Sequence, residues 1–217
     1  MLKLEYMKES PEIEKIRRDL SHKVINKKIA SFQAIEPKVF RGQPALFKQK
    51  TVGSYIKRID RHGKILIFKL ASGYYIFTYL SSIGEILFEQ TKYTHIIIKF
   101  KNNFQLFFNK LKPHGYLQIV NDSQRMRLMA KLIGIDPTLD KSFNYLKFRQ
   151  LFKNKTTAIK NFLNNEKYFS GLDQHYISKI CEAARVNPEK SVKLLENSEK
   201  KRLFRAIKRT LKNACRR

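Results

Sequence analysis

Apolar residues along this chain keep two different periods. Ile13, Ile16, Leu20 and Val24 recur at steps of three, four and four, which makes one face of a helix. A helix is predicted over 11–23. Ser10 would be its N-cap, Pro11 its first residue, and Glu12 and Glu14 would sit in a first turn whose dipole favours acids. From residue 25 to about 120 the period falls to two. Short alternating runs at 29–35, 51–59, 64–70, 74–80, 85–88, 95–100, 104–108 and 116–120 predict eight strands. Ala71-Ser72-Gly73 and Asn102-Asn103 read as hairpin turns between four of them. Many short strands with regular turns suggest a sandwich or barrel.

The next stretch, 121–140, reads as a linker, with a short helix at 126–133 and a turn at Asp136-Pro137. Helical spacing then returns. Phe148, Leu151 and Phe152 begin an apolar face; Ala158, Phe162 and Leu163 form a second segment that Gly171 breaks. Ile177, Ile180, Cys181 and Ala184 share one side of a helix over 176–184. Asn187-Pro188 is a cap-plus-first-position pair. Ser198 would cap a last helix with Leu203, Phe204, Ile207, Leu211 and Ala214 on one face. The fold class expected is α+β. Its domains are a helix plus β-domain over 1–120, a linker over 121–140 and a helical domain over 141–217.

Charge adds a partner to this picture. Lys and Arg number 45 against 18 acids, giving a net charge of +27 and a pI of about 10.1. That balance points to a polyanion, most simply nucleic acid, although a generically basic composition gives the same sum. The two cysteines, Cys181 and Cys215, cannot make a disulfide framework or a four-ligand zinc site, so no metal or cofactor is expected. No apolar run is long enough to span a bilayer, and the start lacks an apolar signal core. A cytoplasmic, nucleoid-associated protein is expected, with no membrane partner.

The run Met7-Lys8-Glu9-Ser10-Pro11-Glu12-Ile13-Glu14, followed by Arg17-Arg18, resembles the N-terminus of the formamidopyrimidine-DNA glycosylase / endonuclease VIII family, Met-Pro-Glu-Leu-Pro-Glu-Val-Glu with its arginine pair. Further pieces follow in the family's order. Asp60-Arg61-His62-Gly63-Lys64-Ile65-Leu66 is similar to its Arg-Arg-Gly-Lys-Tyr-Leu hairpin, and Lys92-Tyr93-Thr94-His95-Ile96 to its Lys-His-Asp-His-Val run. Ile159-Lys160 through Gly171-Leu172-Asp173-Gln174-His175-Tyr176 is similar to its helix–two-turn–helix motif. The resemblance implies an N-terminal helix with an eight-stranded antiparallel β-sandwich, then a helix–two-turn–helix domain. It also implies a monomer that acts on double-stranded DNA holding a damaged base or an abasic site.

What the resemblance implies for chemistry is base excision. In the family an amine attacks the sugar's anomeric carbon, a carboxylic acid assists ring opening, and the base leaves. Glu9 falls on the catalytic glutamate. Lys8 stands where the family has its nucleophilic proline, so an abasic-site lyase step would run through the Lys8 amine. An ordinary lysine is protonated at neutral pH, but a helix N-terminus and nearby cations favour its neutral form, while Glu9 opposes them.

Glu12 would line the base pocket. Lys64, His95, Lys160, Gly171 and Gln174 match DNA-facing positions, with Gln174 in place of an asparagine. Two helix N-termini in the 159–176 region would together offer backbone N–H groups to one phosphate. Lys112 and His114 replace the arginine and phenylalanine that fill the gap left by a flipped base, and Ser82 replaces a methionine wedge. The family's cysteine-bearing zinc finger has no counterpart in these residues. A non-catalytic damage sensor or architectural protein on the same scaffold is the alternative function.

Overall fold

The computed structural model describes residues 9–81, 83–132, 134–140 and 143–216. Lys8 and Ser82 lie outside the described residues. The chain forms two compact units. One holds Ile13–Met129; the other holds Glu9–Glu12 and the chain from Ala130 onward.

The first unit takes most of helix α1, Ser10–Val24, and eight strands: β1 Ile29–Ala34, β2 Ile56–His62, β3 Ile65–Leu70, β4 Tyr75–Tyr79, β5 Glu85–Leu87, β6 Thr94–Phe100, β7 Gln105–Asn109 and β8 Tyr116–Val120. They make two four-stranded antiparallel sheets, ordered β1-β6-β7-β5 and β2-β3-β4-β8. Period-two alternation sends Ile96, Ile98 and Phe100 from the first sheet, and Leu66, Phe68 and Leu70 from the second, into one core. Ile13, Leu20 and Val24 bring α1 into the same core. Each large side chain buried this way contributes about 1.5–3 kcal/mol.

The second sheet is apolar on its other face as well. Ile67, Tyr75, Phe77 and Val120 meet Leu128 and Met129 of helix α3, Asp122–Lys131. A sheet covered on both faces reads as a near-continuous apolar run, and β4 is such a run.

Three expectations about elements need correction. The predicted strand over 51–59 begins only at Ile56, because Pro44 opens a helix, α2, Pro44–Thr51. The helix expected at 126–133 starts earlier, at Asp122. Asn187-Pro188 makes a turn rather than a helix start: the Asn187 side chain accepts from the Glu189 N–H, and its carbonyl from the Lys190 N–H.

The second unit packs α4 Tyr145–Gln150, α5 Ile159–Leu163, α6 Gln174–Ala184 and α7 Asn197–Arg216 around Phe148, Phe162, Phe169, Ile177, Ile180, Leu203 and Ile207. Ser198 lies inside α7, and its cap is made differently. The Glu199 carboxylate reaches back to the Glu196 N–H at 2.8 Å, the glutamate half of a capping box.

Candidate active site and nucleic-acid surface

Helix α1 starts in the same way. Ser10 is already helical, and its hydroxyl donates to the Ser170 carbonyl instead of capping. Glu12 supplies the cap, accepting from the Glu9 N–H at 3.1 Å. Its other oxygen accepts from the Tyr176 hydroxyl at 2.5 Å. Glu9 itself is 1% exposed, and one of its oxygens accepts from the Asp173 N–H at 3.1 Å. Ser10 N–H donates to the Gly171 carbonyl, so the first turn of α1 is tied to 170–176 at several points. Burial, then the Glu12 carboxylate bonded to the hydroxyl, pushes the Tyr176 phenol well above its ordinary range. It therefore stays a donor, and the Glu12 carboxylate is held as an acceptor.

The loop before α6 has its amides occupied. Gly171 N–H faces the Glu166 carboxylate at 3.3 Å, Asp173 N–H faces Glu9, and Gln174 N–H donates to the Asp173 carboxylate at 2.6 Å. At α5, Ile159 and Lys160 N–H donate to the carbonyls of Lys190 and Pro188. The expected phosphate cradle of backbone amides thus has protein partners at both helix starts. Gly171 takes φ +80°, a left-handed turn for which glycine is suited. Lys160 pairs with Glu189 at 2.5 Å, and Gln174 is exposed at the start of α6.

In the first unit, Glu14 sits past the first turn and faces inward. Its carboxylate takes two bonds from Arg17 (2.8 and 2.9 Å), one from Arg18 (3.0 Å) and one from Arg61 (3.3 Å). Arg61 is wholly buried on β2 and also donates to the Gly63 carbonyl at 2.6 Å, so it fixes the turn that presents Lys64. Burial alone would raise the Glu14 pKa; the bonds and charges of Arg17, Arg61 and Arg18 outweigh it and hold the group below the usual carboxylate range.

His95 lies where the pairing of β6 with β7 shifts register, between Thr94 and Ile96. Such a bulge re-aims a side chain. Its Nδ1 accepts from the Leu111 N–H at 3.1 Å, which fixes one end of the loop 110–115. The Gly115 N–H closes the other end onto the Leu111 carbonyl at 2.5 Å, and a Cβ on Gly115 would lie 2.5 Å from that same oxygen. Lys112 and His114 ride exposed on this loop, with Lys112 ion-paired to Glu36. Burial lowers the His95 pKa, and Lys112 adds to this while Glu36 opposes it.

Residues 7–117 match the formamidopyrimidine-DNA glycosylase N-terminal domain. This chain belongs to the formamidopyrimidine-DNA glycosylase family. It is a DNA glycosylase of base excision repair. The formamidopyrimidine-DNA glycosylase of Ligilactobacillus salivarius is 30% identical over 202 residues, covering 90% of this chain and 72% of that protein. The one from Listeria monocytogenes is 31% identical over 215 residues, covering 96% and 78%. A solved complex of Lactococcus lactis Fpg with DNA containing an abasic site superposes with a TM-score of 0.89 at 26% identity, covering 96% of this chain and 80% of that one. A complex of the same protein with an N7-benzyl-Fapy-dG DNA has the same TM-score.

Among the glycosylase residues expected from sequence, the structure brings Glu9, Glu12, Gly171 and Gln174 into one neighbourhood of the second unit. In the first unit it brings His95, Lys112 and His114 together, and places Lys64 on the Gly63 turn. Lys160 stands apart on α5 with Glu189. Lys8 lies outside the described residues. Sequence reading missed the partners: Tyr176 as donor to Glu12, the Glu166 and Asp173 carboxylates on the loop amides, and Arg61 as the bridge from Glu14 to the Lys64 turn. Arg61 carried a signal, because it lies two residues beyond Ile59 on the buried face of β2, and a buried guanidinium requires a carboxylate. Among the described residues, no group of three His, Cys, Asp or Glu could hold a metal ion.

Proposed function

We propose that this glycosylase flips a damaged base out of duplex DNA and breaks its N-glycosidic bond, with Glu9 as the acid/base. The observation that carries this reading is the state of Glu9. It is a buried carboxylate beside Lys8 in sequence, with its own N–H capped by Glu12 and its side chain oriented by the Asp173 N–H. A carboxylate fixed in this way spends no further ordering to act on the sugar oxygen as the ring opens.

The nucleophile in this reading is the Lys8 amine. It bonds to C1′, the C1′–N bond breaks, and the electron pair leaves with the base, which takes up a proton. Ring opening gives an iminium whose C2′ proton can be lost, expelling the 3′ phosphate by β-elimination. Lys64, Lys112 and Lys160 supply positive charge toward phosphates, His114 stacks in the gap, Gln174 supplies an amide donor, and Glu12 borders the base. His95 acts through the loop it holds. The DNA partners are damaged-base and abasic-site duplexes, engaged by one copy of the chain. Its place is with nucleoid DNA in the cytoplasm; no helix among the described residues is long and apolar enough to cross a membrane.

Borohydride reduction over an abasic duplex tests the amine step. A covalent protein–DNA adduct is expected with the wild type and not with Lys8→Ala. An adduct that persists in Lys8→Ala assigns the Schiff base to another amine.

A further inference from the structure

The outward face of α7 has no part in the chemistry above. This helix carries eight lysines and arginines against one acid, Glu199, in its first turn. Leu203, Ala206, Ile207, Leu211 and Cys215 take its buried side. After Asn197 and Ser198, its exposed residues are Lys201, Arg202, Arg205, Lys208, Arg209, Lys212 and Arg216, interrupted only by Asn213. From Lys201 to Arg216 the row runs about 22 Å along the helix, at 1.5 Å per residue.

A row like this works against its own helix. Lys201–Arg205, Arg205–Arg209, Lys208–Lys212 and Lys212–Arg216 are like-charged pairs at i,i+4, each destabilising. General lysine richness does not account for it. In α1, Lys15, Arg17 and Arg18 alternate with Glu12, Glu14 and Asp19, whereas α7 has no acid after Glu199. Beside Lys201, Lys200 lines a hollow of about 380 Å³ together with Lys155 and Lys193, and no acid is among its lining residues. A partner with closely and regularly spaced negative charge removes the repulsion along the whole row. Duplex DNA presents one charge per ~1.7 Å of its axis.

We propose that the outward face of α7 is a second phosphate-backbone surface, which holds duplex DNA independently of the lesion. This rests on DNA being the substrate. It predicts grip on undamaged duplex and a share of the salt dependence that base excision does not use.

The test is a salt titration of binding to an undamaged duplex of about 25 base pairs. It compares wild type, a Lys201→Gln/Arg205→Gln/Lys208→Gln/Lys212→Gln variant, and a control with Lys48, Lys57, Lys99 and Lys101 changed to Gln. Each lost phosphate contact lowers the log–log salt slope by about 0.9. The α7 variant is expected to lose two units of slope or more and at least tenfold in affinity near 0.15 M salt, with a melting temperature equal to or above wild type. The control is expected to lose less than one unit. Base release by enzyme in saturating excess is expected to be unchanged in the α7 variant.

An unchanged slope, or an equal loss in the control, overturns the proposal. So does loss of binding to anionic vesicles with duplex binding intact, which would assign the face to a lipid surface. Absence of base release in the wild type would count against the excision reading and leave the undamaged-duplex result to be read by itself.

Discussion

The Glu9 carboxylate accepts a hydrogen bond from the backbone N–H of Asp173, 164 positions along the chain. The contact joins the first turn of α1 to the start of α6, and Tyr176 to Glu12 runs beside it. The Asp173 bond orients the carboxylate that the excision reading depends on, and the Tyr176 bond holds Glu12, which caps the Glu9 N–H.

Tyr176→Phe removes the hydroxyl that donates to Glu12 and leaves a half-buried carboxylate oxygen without that donor. The expected loss is about 1–3 kcal/mol of unfolding free energy, measured by urea denaturation. The raised phenol pKa also has a sign. A group whose folded pKa lies above its unfolded value near ~10 stabilises fully below that value and loses its contribution as pH rises above it. Wild-type stability should therefore fall more steeply than that of Tyr176→Phe between neutral pH and strong alkali.

Glu14→Ala takes the carboxylate away from the buried guanidinium of Arg61, which keeps the Gly63 carbonyl, and from Arg17 and Arg18, which share it. Breaking a buried ion pair from one side costs about 3–5 kcal/mol. Denaturation midpoints check this. The Glu14 pKa is depressed on folding, so its stabilisation is present above the ordinary carboxylate value and is lost as pH falls through the lowered one. Acid unfolding of the wild type should include this loss.

His95 must be neutral to accept from the Leu111 N–H. Its pKa is lowered on folding, so the bond is intact above the ordinary histidine value and is lost as pH drops through the lowered one. The charged groups bearing on it are Glu36, which opposes the shift, and Lys112, which adds to it. Base excision by the wild type should decline on the acid side as loop 110–115 loosens. His95→Asn, which keeps an acceptor but does not titrate, should retain activity and lose that limb of the pH profile. His95→Ala should be low throughout.

The strands were legible because each is a short apolar or alternating run set off by polar turns, and the eight runs correspond to the eight strands among the described residues, β4 as an almost continuous apolar run. Helix starts were not. Ser10 and Ser198 each looked like a cap, yet in both places a glutamate three residues beyond the true cap takes the role, through Glu12 and Glu199. Helix α2 was hidden because its eight residues bury only Phe47 and Thr51, too few to set a helical apolar period. Glu9 is a candidate through the resemblance of its neighbours. Its partner was not legible, since a backbone amide 164 positions away leaves no trace in residue type. The amides expected to grip phosphate are occupied by Glu9, Glu166 and Asp173, carboxylates that no local pattern connects to them.

Free base released from a panel of damaged duplexes, compared between wild type and Glu9→Gln, tests the central claim most directly. The substituted amide would keep an oxygen to accept from Asp173 N–H but could not give or take the proton. A positioned acid/base is worth about 10²–10⁴ in rate, so wild type should release a base that Glu9→Gln releases at least a hundredfold more slowly, with duplex binding intact. Equal release by the two proteins would contradict the account and place the chemistry at another centre.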